Sequence, residues 1–271
     1  MSDLPGEDIR SAQAILSAFA QKDYSQGVAI LRNLKDEIYA SIPHKLRISR
    51  GITWVLERAS QLLIHECETE EGIFRLGQDL YTQMDKSDVL QGVAIFLMAE
   101  YGKGHPSQAF EFFEEIADAE DWVVREVAQG GFRRVIGPNK AVVFPWLRKM
   151  ATAESPNLRR FASETLRPVV ENKWLYREPE TSLSVLRLLF REAHPYPRTS
   201  VGNNLSDLSR RLPELIFSIV EELVAMGNDN SCWIAYRACR NLVKKQPERV
   251  MDILGVDEYH YKDRNFYKSS L

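Results

Sequence analysis

Two glutamates and an arginine recur at helical spacing in the second half of this chain, and carboxylates beside a guanidinium are the chemistry most open to it. Glu126, Arg160 and Glu164 fall into columns when four segments are aligned on Ala128, Ala162, Val201 and Ala238. The segments are Val124–Val135, Leu158–Val169, Pro197–Leu208 and Ile234–Lys245. Two places before the aligned residue stand Glu126, Arg160, Thr199 and Tyr236; two places after it stand Gly130, Glu164, Asn203 and Arg240. At about 100° per residue, both columns lie opposite an apolar stripe made by Val124, Leu158, Pro197 and Ile234 with Phe132, Leu166, Leu205 and Leu242. Stacked helices would show such columns as one exposed strip, and repeat proteins bind on such faces. A carboxylate there can steady positive charge or activate water. An arginine can grip an oxyanion through two parallel bonds. The same charges could instead form a ladder that holds repeats in register, and the spacing alone admits both.

The elements that must position these residues are helices. The aligned residues are 34, 39 and 37 apart, the range of two-helix repeats. Amphipathic patterns run through 8–21, 26–41, 46–66, 70–83, 87–101, 107–118, 122–136, 140–152, 156–170, 180–192, 196–210, 212–227, 231–245 and 247–254. Breakers at Gly102–Pro106, Gly137-Pro138, Pro195–Pro197, Pro213 and Gly227–Asn230 separate them. Ser155 before Pro156, Asp121 before Trp122, and Asn230-Ser231 read as helix N-caps. Nothing reads as strand, so the expected class is an all-α array. Gly130-Gly131 inside one helix serves either close approach of a ligand or close helix packing.

Composition divides the array. Residues 1–124 hold 11 Lys+Arg against 21 Asp+Glu, and residues 125–271 hold 24 against 17. A basic half within a chain of net charge −3 points to a polyanion partner, or to attraction between the halves. Three divisions are expected: acidic helical repeats over 1–120, basic repeats carrying the site over 121–256, and an aromatic, basic tail over 257–271 that caps the last repeat. Cys67, Cys232 and Cys239 lack CxxC spacing and read as reduced thiols. The acidic first residues do not read as a signal peptide, so a soluble protein of the cytoplasm is expected. The sequence holds no GxGxxG, phosphate loop or HExxH, and His65-Glu66-Cys67-Glu68 would splay its ligands around a helix. No metal or cofactor is expected.

Three stretches carry a resemblance. Arg159-Arg160-Phe161-Ala162-Ser163-Glu164 with Arg167-Pro168, Arg198 through Asp207, and Trp233-Ile234 through Lys245 resemble the HEAT-like-repeat alkylpurine DNA glycosylases of the AlkC and AlkD group, over roughly residues 120–256. The resemblance implies a right-handed α-solenoid whose concave, basic face cradles duplex DNA. It implies a monofunctional glycosylase that releases cationic N3- or N7-alkylpurines by hydrolysis, without a cofactor and as a monomer. Glu126 and Glu164 would be its carboxylates and Arg160 its catalytic arginine. Trp122 and Trp174 would lie against the deoxyribose or the base. Arg125, Arg133, Arg134, Arg159, Arg167 and Lys244 become candidate phosphate contacts, with Thr199, Asn203, Tyr236 and Arg240 on the same strip. The rival reading is a non-catalytic HEAT-repeat protein that binds DNA structures or scaffolds other proteins.

Overall fold

The computed structural model describes residues 6–85 and 88–260. Among them are fourteen α-helices joined by short loops and 3₁₀ turns, with no strand. They form two compact units, Met1–Lys140 and Ala141–Leu271. The change in packing thus falls later in the chain than the change in charge.

The first unit holds α1 (Gly6–Ala20), α2 (Tyr24–Ser41), α3 (Ile52–Glu66), α4 (Glu70–Gln83), α5 (Gln91–Tyr101), α6 (Pro106–Ala117) and α7 (Trp122–Ile136). Helix α5 is its centre. Its sequence is apolar nearly all round, and ten of its eleven residues are buried. Such a helix has no face to give to water, and α3, α4, α6 and α7 pack against it. Each large apolar side chain enclosed this way contributes roughly 1.5–3 kcal/mol. A Cβ on Gly131 of α7 would sit 3.0 Å from Ile95 of α5, whereas one on Gly130 would meet nothing within 4 Å. Close packing therefore accounts for Gly131 and not for its neighbour.

The second unit is built from α8 (Lys140–Ala151), α9 (Pro156–Thr165), α10 (Pro179–Leu186), α11 (Pro195–Leu208), α12 (Pro213–Ala225), α13 (Asp229–Ala238) and α14 (Pro247–Leu254). Five of these begin with proline, whose fixed φ suits the first turn and whose missing N–H costs nothing there. Helices α9, α11 and α13 pack side by side in a row, with α12 and α14 against α13. Asparagines tie the row together. Asn204 donates to the Ser163 carbonyl at 2.9 Å, and Asn241 to the Ser206 carbonyl at 2.8 Å. Where α11 meets α13, Gly202 leaves room for Arg237, whose Cβ and Cγ lie 2.6 Å from where a side chain would start.

Several helices are shorter than their apolar patterns. Helix α9 stops at Thr165, three residues before Pro168, and a 3₁₀ segment, Val170–Tyr176, follows. Helix α3 starts at Ile52 behind Gly51, and α13 ends at Ala238. Beyond α14, the Tyr259 ring stacks on Tyr236 with centroids 4.3 Å apart, and its hydroxyl donates to the Tyr236 carbonyl at 2.6 Å. The rest of the tail, 261–271, lies outside the described residues.

Candidate functional site

Four helices begin with the same device. Asp121, Ser155, His194 and Asn228 are the N-caps of α7, α9, α11 and α13. Each side chain accepts from the backbone N–H two residues on, at Val123, Asn157, Tyr196 and Asn230. These caps give a common origin. Ala128, Ala162 and Val201 stand seven residues after theirs, in agreement with the sequence alignment. In α13 the seventh residue is Ala235, not Ala238.

The fourth repeat is therefore corrected by three residues. Apolar positions recur at three and four along a helix, so a three-residue slip still matches Ile234 and Leu242 to the apolar columns. Only the cap fixes the register. The correction replaces Tyr236 and Arg240 in the columns with Trp233 and Arg237. Tyr236 is 6% exposed and lies under Tyr259, so it presents no ring to a ligand. Arg240 turns to Asn203 at 3.4 Å and Asp207 at 3.9 Å.

With that register, the two columns of α9, α11 and α13 become one groove. Arg160, Glu164, Thr199, Asn203, Trp233 and Arg237 line a cavity of about 540 Å³ together with Tyr196 and Arg198. Glu164 was expected on an exposed strip, but it is 4% exposed. Its carboxylate lies 3.9 Å from Arg160 and 3.4 Å from Arg167. Arg167 also donates to Asp207 at 2.5 and 2.9 Å. Burial opposes its charge, but Glu164 and Asp207 outweigh this and raise its pKa. Across the groove, the Arg160 guanidinium stacks 4.3 Å from the Tyr196 ring and that of Arg198 4.6 Å from Trp233. Arg198 bonds Asn230 through Nη1, and burial lowers its pKa against the pull of Glu192. Asn203 accepts from Arg237 at 3.0 Å, while the Thr199 hydroxyl donates to its own helix at Pro195.

The remaining candidates divide by what holds them. Arg125 donates to the carbonyls of Ala119 and Glu120 at 2.5 and 2.7 Å. Arg159 does the same to Ala153 and Glu154 at 2.9 and 2.7 Å, and grips Glu192 through two further bonds. Both arginines brace the loop before their own helix, which replaces the expected phosphate contact. Arg134 pairs with Glu57 at 2.6 Å over the Phe96 ring, and Arg133 is half-buried on α7. Trp174 packs edge-on against Phe144, and Lys244 is exposed beyond α13. Glu126 and Trp122 are exposed on α7, in the first unit.

No family model matches the sequence. The chain is 29% identical over 110 residues to the uncharacterized protein YhaZ of Bacillus subtilis; this covers 38% of the chain and 30% of that relative's length. Solved structures resemble far more of it. The Pseudomonas fluorescens alkylpurine DNA glycosylase AlkC, bound to DNA containing an abasic site analog, superposes with a TM-score of 0.54 at 17% identity, over 93% of this chain and 69% of that one. AlkD2 from Streptococcus mutans gives 0.56 at 22% identity, over 78% and 96%. The protein smu.31 of Streptococcus mutans UA159 gives 0.57 at 20%, over 76% and 98%.

The chain has the AlkC/AlkD-like helical-repeat fold.

Within this fold, sequence reasoning missed Arg198, Trp233, Tyr196, Arg237 and Asp207. A signal for Arg198 was available, since it stands four residues after its cap, as Arg125 and Arg159 do. Trp233 and Arg237 follow once the cap sets the register. Asp207 had none, because three arginines from different elements converge on it, Arg167, Arg210 and Arg240. Among the described residues no group of three or more His, Cys, Asp or Glu side chains could hold a metal, and no helix is long and apolar enough to cross a membrane.

Proposed function

We propose that this chain is a DNA glycosylase that hydrolyses the N-glycosidic bond of cationic N3- or N7-alkylpurines in duplex DNA. One observation carries the reading: the α9–α11–α13 groove sets a single carboxylate, Glu164, among Arg160, Arg198 and Arg237. Guanidinium groups suit backbone phosphates. A carboxylate among them meets positive charge, which breaking this bond supplies. The alkylated base leaves as a neutral purine, and charge builds on the deoxyribose as an oxocarbenium-like state.

Glu164 steadies that charge. Its burial removes the screening water that would weaken the interaction. Arg160, held over the Tyr196 ring, grips a phosphate beside the lesion. Trp233 offers a ring edge to sugar or base. Glu126, exposed on α7 of the first unit, is the other carboxylate that the resemblance offers. The likeness of the fold to DNA-bound AlkC supports DNA as the partner, and an open groove needs no second copy of the chain.

The pairing of Glu164 with two arginines favours a second reading, in which the groove binds DNA without excision. Release of methylpurines from methylated duplex DNA separates the two. The wild type releases base, and Glu164→Gln lowers release by about 100-fold while gel-shift binding persists. Glu126→Gln, measured beside it, shows which carboxylate dominates. Intact folding and binding with no release by the wild type would leave the binding reading.

A further inference from the structure

The first unit carries a second constellation that the glycosylase reading does not use. A cavity of about 560 Å³ between the end of α4 and the α6–α7 loop is lined by Asp85, Glu115, Asp118, Glu120, Asp121 and Tyr81. Through Tyr81 and Glu115 it continues into a groove of about 770 Å³ between α4 and α6, which adds Asp79, Glu111 and the Phe112 ring. Among the described residues, no Lys, Arg or His lines either cavity. Arg125 is bonded to the backbone of the loop and does not line the space.

Carboxylates alone would mark only a solvated acidic surface. Gln91 adds an independent observation. It lines the smaller cavity, is 2% exposed, and its side-chain Nε2 has no hydrogen-bond partner. A buried amide donor left without an acceptor costs roughly 1–3 kcal/mol. A ligand that supplies an acceptor recovers that energy. Polyanionic DNA would supply acceptors but is repelled by this surface. Metal ions and polyamines match the charge but carry no acceptor for an N–H. A basic peptide brings both, cationic side chains for the carboxylates and backbone carbonyls for Gln91.

We infer that the acidic groove of the first unit binds an arginine- or lysine-rich peptide segment of a partner protein, with Gln91 donating to its backbone. Tyr81, whose hydroxyl donates to Glu115 at 3.1 Å, forms an aromatic wall with Phe112, their centroids 5.0 Å apart. Guanidinium groups stack well on such faces. This inference is independent of the reaction proposed for the other unit.

Fluorescence anisotropy on the full chain tests it, with a labelled peptide of alternating arginine and glycine and a glutamate–glycine peptide as control. The wild type binds the basic peptide and not the acidic one, and added salt weakens the binding. Glu115→Gln combined with Asp118→Asn weakens it by about tenfold, and Gln91→Leu by about fivefold. Methylated-DNA binding stays unchanged in both variants. The exposed carboxylate variant keeps the test decisive if Gln91→Leu proves unstable. Binding that neither variant moves, or no binding at all, overturns the inference. Spermidine displacing the peptide while Gln91→Leu binds as wild type would also overturn it, as a general polycation surface.

Discussion

Arg125 in the acidic unit and Arg159 in the basic one stand four residues after their caps and brace the loop carbonyls six and five residues back. Arg159 adds a two-bond pair with Glu192. The same local scaffold thus carries opposite electrostatics: Met1–Lys140 holds 15 Lys+Arg against 22 Asp+Glu, and Ala141–Leu271 holds 20 against 16. Backbone geometry in this fold is set by caps and braces near each loop. Ligand chemistry is set by the columns those braces leave untouched.

Removing the two braces is the strongest way to test that separation. Arg159→Ala should cost about 3 kcal/mol, since it leaves the buried Glu192 without its cationic partner. Arg125→Ala should cost about 1 kcal/mol for the loss of its bonds to the loop carbonyls. Urea denaturation measures both, and equal costs would erase the distinction. The pH dependence sharpens it. Burial pushes the Glu192 carboxyl up, but Arg159 and the His194 N–H outweigh burial and hold it below its ordinary value of 4.5. A depressed carboxylate stabilises the fold above its unfolded pKa, and that contribution is lost as pH falls through the folded value. Wild type should therefore lose stability on acidification more steeply than Arg159→Ala.

Helix spacing provides a smaller contrast. Gly202→Ala in the basic unit should destabilise by about 2 kcal/mol, because the new methyl meets Arg237 and forces α13 outward. It should also weaken DNA binding, which a purely structural glycine would leave alone. Smallest of all is the pair on α7. Gly130→Ala should stabilise by about 0.5–1 kcal/mol, as alanine replaces an open helical glycine. Gly131→Ala should give no such gain, because its methyl presses on Ile95. Thermal denaturation of the two single variants resolves the difference.

The helices were legible in the sequence because burial imposes a period that survives imperfect matches. Patterns at 70–83, 122–136 and 247–254 coincide with α4, α7 and α14 to the residue. The caps at Asp121 and Ser155 were equally plain. The cap of α13 was placed at Asn230-Ser231 and lies at Asn228, whose side chain accepts from both of their N–H groups. That displacement hid the register, and with it Trp233 and Arg237. Glu164 was singled out correctly as a member of a column but not as buried. A carboxylate enclosed by Arg160 and Arg167 reads in sequence like any exposed helical charge, because its enclosure comes from α11 and the loop after α9.

The loop brace has a consequence for how such a chain can lengthen. Each lock is closed by an arginine a few residues downstream of the carbonyls it holds, so the turn is closed within its own segment. A tandem copy of the segment from Ala119 to Ala153 would carry its own cap, its own arginine and its own closed turn. Growth by duplication therefore starts from a folded joint. The exposed columns are then free to diverge in charge, one copy toward carboxylates and the next toward guanidinium groups.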